Sequence, residues 1–192
     1  MKLDVQNIIE QLKTEETPYN EVMVFSKRAG IYAIFYIGDY FPVFGVQVKK
    51  HEIIYIGKTE SSQEKRDAKT HFTSGKTGSS TLRKSIGSLL CKTENLKPIP
   101  RNSIDYLKGR YSHFKFDDRS ERIITEWMDA NLAISYFEYP KSKAEIDNLE
   151  TKLIEKLEPA LNLAKNPNNP YGRLLKQLRK SCAETARNAY EY

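Results

Sequence analysis

Cysteine, histidine and long apolar runs are scarce in this chain, and each scarcity argues against a class of protein. Its 192 residues include two cysteines, Cys91 and Cys182, which have neither CxxC spacing nor another metal-ligand spacing. They are expected to be free thiols in a reducing compartment, which argues against a disulfide-bonded secreted protein. The three histidines, His51, His71 and His113, form no zinc-ligand cluster.

No stretch of the sequence is apolar for long enough to cross a bilayer, so no membrane partner is expected. The first 16 residues mix acidic side chains into an amphipathic pattern and lack the cleavage site of a signal peptide. The sequence therefore predicts a cytoplasmic protein. With 39% apolar and 29% charged residues, its composition is typical of one globular domain with terminal extensions.

Positive charge is in excess and is unevenly distributed. The formal net charge of +6 is compatible with a polyanionic partner, but a solvated basic surface has the same composition. Within the basic segment 49–84, the tripeptide GKT occurs twice, at 57–59 and 75–77. A phosphate-binding P-loop needs a glycine five residues before each GKT, where this chain has Glu52 and Thr70. Both matches therefore fail.

Hydrophobic periodicity predicts a chain of mixed helices and strands. Runs of β-branched and aromatic residues at 31–37, 52–57 and 132–139 predict three strands, and a weaker alternation covers 43–49. Helices are predicted over 4–14, 61–72, 80–90, 120–131 and 142–157, with a basic helical tail after the turn-rich segment 166–172. Residues 94–118 are expected to form an irregular connection.

The chain contains one GIY, at 30–32, and two YIG tripeptides, at 36–38 and 55–57. Tyr32 and Tyr36 lie on one predicted strand and share a face, but they are separated by about 13 Å. The chain between Tyr32 and Tyr55 is long enough to reverse its direction. An antiparallel neighbour would bring its ring beside Tyr32, with Cβ atoms about 5 Å apart. Tyr55 is therefore the expected partner of Tyr32, and Tyr36 is explained by strand packing.

A glutamate interrupts the apolar stripe of the predicted helix over 142–157. Glu150 comes four residues after Ile146 and three before Leu153, so its carboxylate lies on the apolar face. A charge on a buried face is costly unless it is paired, and a divalent cation or an arginine would pair with it. The alternative is a half-exposed Glu150 at the edge of the stripe, bound to Arg66 or Lys152.

Together these motifs resemble the GIY-YIG nuclease superfamily, in particular its bacterial stand-alone, restriction-enzyme-like members. The matching residues follow the family's order: Gly30-Ile31-Tyr32, Tyr55-Ile56-Gly57-Lys58, Arg66, His71, Glu150 and Asn162. The resemblance covers residues 28–163. It implies an α/β fold of the α+β type, with a small three-stranded antiparallel sheet flanked by helices. Residues 1–27 are then expected to form an N-terminal helical extension, and 164–192 a basic C-terminal helical tail.

The resemblance implies a metal-dependent endonuclease that hydrolyses phosphodiester bonds in DNA. Glu150 would hold one Mg²⁺ or Mn²⁺ per active site, because such an ion needs few protein ligands. Tyr32 would act as the general base, and a nearby cation such as Lys58 would have to lower its pKa. Arg66 would clamp the scissile phosphate with its planar guanidinium.

The remaining family positions are expected to support this chemistry. Tyr55 would orient water or phosphate from the strand that contains Gly57. Asn162 would brace the glutamate end of the site through hydrogen bonds, and the alternative is a helix-to-loop cap. His71 would join the catalytic residues, but it follows Arg66 by five residues where the family has four, which is about 100° further around an ideal helix. A helix end or bulge, or an indirect role, would explain this spacing.

A second departure from the family pattern is the 22 residues between Tyr32 and Tyr55, although some restriction enzymes of the superfamily have a comparably long connection. Basic residues near the site are the expected contacts to DNA, because their cations suit phosphates, and the alternative is a solvent-exposed role. These residues are Lys69, Lys76, Arg83 and Lys84.

Two alternatives to a nuclease remain open at this point. The first is a catalytically silent nucleic-acid-binding module on the same scaffold. The second, weaker one is a regulatory protein whose basic tail binds another protein. The sequence also leaves open whether the substrate is DNA or RNA, and whether two copies form a homodimer to cut both strands.

Overall fold

The computed structural model describes residues 4–42, 47–63, 70–102 and 113–189. These ranges contain five α-helices and six strands, in the following order: α1 (Val5–Thr14), β1 (Thr17–Pro18), β2 (Gly30–Tyr36), β3 (Glu52–Thr59), α2 (Thr81–Leu90), β4 (Pro98–Pro100), β5 (Phe114–Phe116), α3 (Asp118–Asn131), β6 (Leu132–Glu138), α4 (Lys143–Leu157) and α5 (Gly172–Asn188). Half of the predicted helix over 61–72 and part of the weak strand over 43–49 lie outside the described residues.

The main sheet is antiparallel, with the strand order β1-β6-β2-β3. The predicted fold class is confirmed, but the prediction of three strands is wrong by one. The fourth strand, β1, has only two residues and ends in Pro18, so it shows no alternation that a sequence pattern could reveal. Proline is tolerated there because β1 is an edge strand.

Residues 94–118, predicted to be irregular, contain two strands among the described positions. Strands β4 and β5 pair antiparallel as a separate two-stranded sheet. The prediction is therefore wrong for these short segments. Each has three residues, which is too few for a period-two pattern to stand out, and β4 begins and ends with proline.

Capping side chains determine where the helices begin. The hydroxyl of Ser80 accepts a hydrogen bond from the backbone of Arg83 at the start of α2, and Ser142 forms a capping box with Glu145 at the start of α4. Helix α3 begins at Asp118, two residues earlier than predicted, because Asp117 caps it by accepting from the backbone of Ser120.

Both faces of the sheet are buried. Ile31, Ala33 and Phe35 of β2 pack against α1 and α4, and we call this side the α4 face. Tyr32 and Ile34 point to the opposite side, which packs against α2, α3 and α5 and which we call the tyrosine face. This alternation follows from the two-residue period of a strand.

A β-bulge in β3 places Tyr55 on the tyrosine face. Ile34 pairs with Tyr55 but Phe35 pairs with Ile53, so Ile54 is an extra residue without an opposite partner on β2. As a result, both Ile54 and Tyr55 contribute to the core of the tyrosine face. Tyr36 also lies in that core and packs against Phe41 and Trp127, in agreement with its interpretation as a packing residue.

The two terminal helices pack onto the domain. Helix α1 buries Ile8, Ile9 and Leu12 on the α4 face, and α5 packs against α2 and β4. The domain boundaries at 27 and 163 stay a prediction. Both cysteines are free, Cys91 half-buried and Cys182 buried. Among the described helices, none combines the length and the apolar composition that crossing a membrane requires.

Candidate active site

Tyr32 and Tyr55 are neighbours on the tyrosine face, with ring centroids 6.2 Å apart. The expected direct cross-strand pairing is wrong in register, because Tyr32 lies opposite Gly57 and Tyr55 lies opposite Ile34. The two tyrosines are therefore diagonal neighbours. Gly57 makes this possible, because a Cβ atom at that position would overlap the phenol ring of Tyr32. The glycine of YIG thus provides the space that the tyrosine of GIY occupies.

His71 connects Tyr32 to the start of helix α2. The Nε2 atom of His71 lies 2.7 Å from the Oη atom of Tyr32, and its Nδ1 atom lies 2.7 Å from the Oγ atom of Ser80. His71 is completely buried, and Tyr32 is 1% exposed. Because a neutral imidazole has one donor and one acceptor nitrogen, this chain of hydrogen bonds allows a proton to be shared between Tyr32 and His71.

The backbone at His71 departs from an ordinary α-helix. Thr70 and His71 lie in a π-helical turn, which has more residues per turn than an α-helix. A bulge was one of the three explanations left open for the five-residue spacing, and a wider turn would bring a later residue to the same face. Arg66, the other member of that spacing, lies outside the described residues.

Arg83 forms a completely buried ion pair with Glu121 of α3. Its Nη2 atom lies 2.8 Å from Oε2 of Glu121, and its Nη1 atom donates to the backbone carbonyl of His71 at 3.2 Å. Burial lowers the pKa of Arg83, and the carboxylate of Glu121 opposes this effect. The expected DNA contact of Arg83 is therefore wrong, because its side chain is 0% exposed. The sequence suggested a DNA contact because Arg83 lies among polar residues of a helix.

The same carboxylate holds the segment that follows His71. Glu121 accepts hydrogen bonds from the backbone N–H groups of Gly75 and Thr77, at 3.2 and 3.3 Å, and from the Thr77 hydroxyl at 3.0 Å. Arg83 thus holds the backbone of His71, and Glu121 holds both Arg83 and the segment that follows His71. No motif in the sequence indicated this role for Glu121.

Glu150 lies on the edge of α4, where its side chain is 13% exposed. Its Oε2 atom accepts a hydrogen bond from the ammonium group of Lys165 at 2.7 Å. Lys165 also binds Asp147 at 2.7 Å, and Lys58 binds the same Asp147 oxygen at 2.8 Å. We call Asp147 and Glu150 the carboxylate pair. The sequence suggested Arg66 or Lys152 as the partner of Glu150. The partner in the structure is Lys165, which lies in the loop after the helix.

Lys58 belongs to the α4 face because it lies opposite Ile31 in the strand register. Its ammonium group binds Asp147 and, at 3.3 Å, Glu60. Asp147 was not among the predicted site residues, although its position three residues before Glu150 places both side chains on one side of the helix. This three-residue spacing from Glu150 could have identified Asp147 in the sequence.

Asn162 binds the edge of strand β3. Its Oδ1 atom accepts a hydrogen bond from the backbone N–H of Ile56, and its Nδ2 atom donates to the backbone carbonyl of the same residue, both at 2.8 Å. Asn162 therefore braces the strand between Tyr55 and Gly57. The expectation that it braces the glutamate end of the site, or caps a helix, is corrected by these contacts.

A family model described as the GIY-YIG catalytic domain matches residues 30–181. This chain belongs to that family. The match contains both tyrosines, His71, Glu150 and Asn162. Membership gives the chain a nuclease-type fold, and a nuclease domain implies a nucleic-acid substrate. Searches of curated proteins and of solved structures gave no match.

The donor groups of this GIY-YIG domain fit a hard divalent cation that keeps most of its waters. Among the described residues, no group of three or more histidine, cysteine, aspartate or glutamate side chains could hold a metal ion. The carboxylate pair instead offers oxygen atoms from Asp147 and Glu150, which is the type of ligand that Mg²⁺ prefers. Two carboxylates alone do not fit Zn²⁺, whose sites have at least three protein ligands and usually include histidine or cysteine.

The other residues expected to bind DNA occupy different environments. Lys76 is exposed, whereas Lys84 is half-buried and its ammonium group lies 5.3 Å from the centre of the Phe114 ring. Lys69 lies outside the described residues. Binding of DNA by these three lysines stays a prediction.

The ammonium groups around Asp147 predict a measurable shift in its titration. The hydrogen bond from Lys165, followed by that from Lys58, lowers the pKa of Asp147 from its ordinary value of 3.8 to about 2. The ionised carboxylate of Asp147 therefore stabilises the folded state at pH values above 3.8. This contribution is lost as the pH falls towards about 2. Titration followed by NMR should give a midpoint near 2 for Asp147. Lys165→Ala should raise this midpoint and Lys152→Ala, an exposed site on the same helix, should not. An unchanged midpoint in Lys165→Ala would contradict the assignment.

Replacing Asn162 should destabilise the strand that contains Tyr55. Asn162→Ala leaves the N–H and C=O groups of Ile56 without their partners, and each such buried group costs about 1–3 kcal/mol. We therefore expect the free energy of unfolding to fall by about 2–4 kcal/mol in urea denaturation. Asn188→Ala, at an exposed position near the end of α5, is the matched control. A change below about 0.5 kcal/mol, as for surface substitutions, would show that these hydrogen bonds contribute little.

Proposed function

We propose that this GIY-YIG domain is a metal-dependent endonuclease that hydrolyses phosphodiester bonds in DNA. The observation that carries the proposal is the hydrogen bond of 2.7 Å between Tyr32 and the completely buried His71. Packing alone does not require a hydrogen bond between a tyrosine and a buried histidine beside a second tyrosine. Membership of the family supports the same reaction.

In the proposed reaction, Tyr32 removes a proton from the attacking water. A phenol with an ordinary pKa near 10 is a poor base at neutral pH, so it needs a group that can accept its proton. His71 is placed to do this through Nε2, while Ser80 holds the opposite nitrogen and fixes the orientation of the ring. Tyr55 lies beside Tyr32 and is proposed to orient the water or the phosphate.

The charged residues are proposed to bind the phosphate and the metal ion. Glu150 would hold Mg²⁺ or Mn²⁺ with Asp147 close by, and Lys165 donates hydrogen bonds to both carboxylates in the structure. When bound, the ion supplies an electrophile that stabilises charge on the phosphate and on the departing oxygen. Arg66 is proposed to clamp the scissile phosphate.

The proposal is tested by incubating supercoiled plasmid with the protein in Mg²⁺, in Mn²⁺ and in EDTA. We expect metal-dependent nicking or linearisation, and a rate at least about 10²-fold lower for Tyr32→Phe, because general base catalysis typically contributes that much or more. This substitution keeps the ring and removes only the hydroxyl. Tyr171→Phe is the control, since its hydroxyl binds the backbone of Gln47 instead of His71.

Three outcomes would count against the proposal. Cleavage that persists in EDTA would exclude the metal-dependent mechanism. Full activity of Tyr32→Phe would exclude Tyr32 as the base. Binding of DNA without cleavage in either metal ion would support the alternative of a catalytically silent nucleic-acid-binding module.

A further inference from the structure

A groove of about 500 Å³ runs along helix α5 on the tyrosine face. Phe114, Leu163 and Ala183 form its apolar part. Its volume falls within the range of about 300–1,000 Å³ that is typical of small-molecule sites. The groove is therefore large enough to hold one nucleotide.

The walls of the groove are cationic. Four basic side chains line it, together with one acidic side chain: Lys176, Arg179, Lys180, Arg187 and Glu184. Glu184 lies 3.8 Å from the ammonium group of Lys180 on the same helix, so its charge is already engaged. The combination of an apolar floor and cationic walls favours a ligand that carries both an apolar ring and a negative charge.

Arg179 connects this groove to the candidate active site. It lies close enough to Tyr55 for negative charge on the phenol to raise its pKa, and Leu163 of the groove directly follows Asn162, which binds strand β3. The groove therefore lies next to the tyrosine pair, on the face of the sheet from which Tyr32 contacts His71.

Arg179 also has an unused capacity to bind an anion. It is partly buried, and within the described residues no carboxylate or carbonyl group forms an ion pair or hydrogen bond with it. Burial lowers the pKa of Arg179, and attraction to Tyr55 opposes this. A guanidinium that loses part of its hydration without gaining a partner is costly, and a phosphate would supply the missing acceptor.

We propose that this groove binds one unpaired nucleotide of the substrate strand next to the scissile phosphate. The base would lie on the apolar floor, and Arg179 would bind its phosphate, with Lys176 and Lys180 along the neighbouring backbone. The proposal rests on the function proposed above, because it places the nucleotide beside the cleavage site. It also predicts the substrate class, since a paired base would first have to leave the duplex.

Binding in EDTA tests the groove without requiring cleavage. Fluorescence anisotropy would compare two labelled DNA duplexes, one fully paired and one with an unpaired nucleotide at its centre. We expect the wild-type protein to bind the second at least about tenfold more tightly, because it avoids the cost of unstacking and unpairing a base. Arg179→Gln should remove most of this preference.

Two further variants separate the groove from general charge effects. Arg173→Gln removes the same charge from an exposed position on α5 outside the groove. It should weaken the binding of both DNAs equally and leave the preference for the unpaired nucleotide intact. Ala183→Leu should fill part of the apolar floor and reduce the preference, with circular dichroism to verify folding.

The outcomes distinguish this proposal from the proposed reaction. Equal binding of the two DNAs, or an unchanged preference in Arg179→Gln, overturns the groove proposal even if plasmid is cleaved. A preference that depends on Arg179 supports nucleotide binding in the groove even if no plasmid is cleaved. In that case only the proposed hydrolysis is rejected. Absence of DNA binding at low salt overturns the groove proposal.

Discussion

Glu150→Ala is expected to lower the rate of plasmid cleavage in Mg²⁺ by at least about 10³-fold, because a bound metal ion contributes several kcal/mol of charge stabilisation. In the described structure, Asp147 is the other carboxylate in the cluster, and its Oδ1 atom is already held by both Lys58 and Lys165. Loss of Glu150 would thus leave a divalent cation with a much weaker site.

The fold should survive this substitution. Glu150 is 13% exposed, and Lys165, its hydrogen-bond partner, keeps its bond to Asp147 when Glu150 is removed. Because Lys165 keeps a carboxylate partner, the substitution leaves no buried charge unpaired, and we expect the domain to stay folded. Cleavage rates measured across a range of Mg²⁺ concentrations, together with thermal melting, would check both statements.

Glu155→Ala provides the matched control for this experiment. Glu155 lies on the same helix but is exposed, and removing it changes the net charge by the same amount. We expect its cleavage rate to stay near that of the wild-type protein. If Glu150→Ala cleaves plasmid within a few-fold of the Glu155→Ala rate, Glu150 does not hold the metal ion.

Glu121→Ala is expected to lower the free energy of unfolding by about 3–5 kcal/mol, which is the usual cost of leaving one buried charge unpaired. Arg83 would remain completely buried without its carboxylate, and the N–H groups of Gly75 and Thr77 would lose their acceptor. Such a loss is a large fraction of the total stability of a typical domain.

Urea denaturation would measure this loss, with Glu126→Ala, an exposed position on the same helix, as the control. Glu121→Gln is a second variant that keeps the shape of the side chain and removes only the charge, so it should give a smaller but clear loss. If both Glu121 variants unfold within about 0.5 kcal/mol of the control, the buried ion pair does not stabilise the segment after His71.

The order of motifs along the chain was sufficient to predict the family and most of the fold. Tyr32, Tyr55 and Glu150 were predicted as site residues because each occupies an interpretable place in a strand or helix pattern. Periodicity detected the long strands and the capped helices, since their side chains repeat many times. It could not detect β1, β4 or β5, because two or three residues do not establish a period.

The details of the site depend on three-dimensional contacts that no local pattern encodes. The diagonal arrangement of the tyrosines arises from the register in which β3 pairs with β2, where Tyr32 lies opposite Gly57. Lys165 reaches the carboxylate pair from a loop, and Arg83 looks like a surface residue until α3 covers it. In each case the missing information was the position of another element.

The amide of Asn162 mimics a peptide group of a neighbouring strand. It satisfies both backbone groups of Ile56 on the open side of β3, and the N–H of Leu161 does the same for the carbonyl of Ile54. An outer strand whose hydrogen-bonding groups are satisfied in this way cannot readily template intermolecular sheet extension. If two copies of this protein associate to cut opposite strands of a duplex, we expect them to meet through another surface.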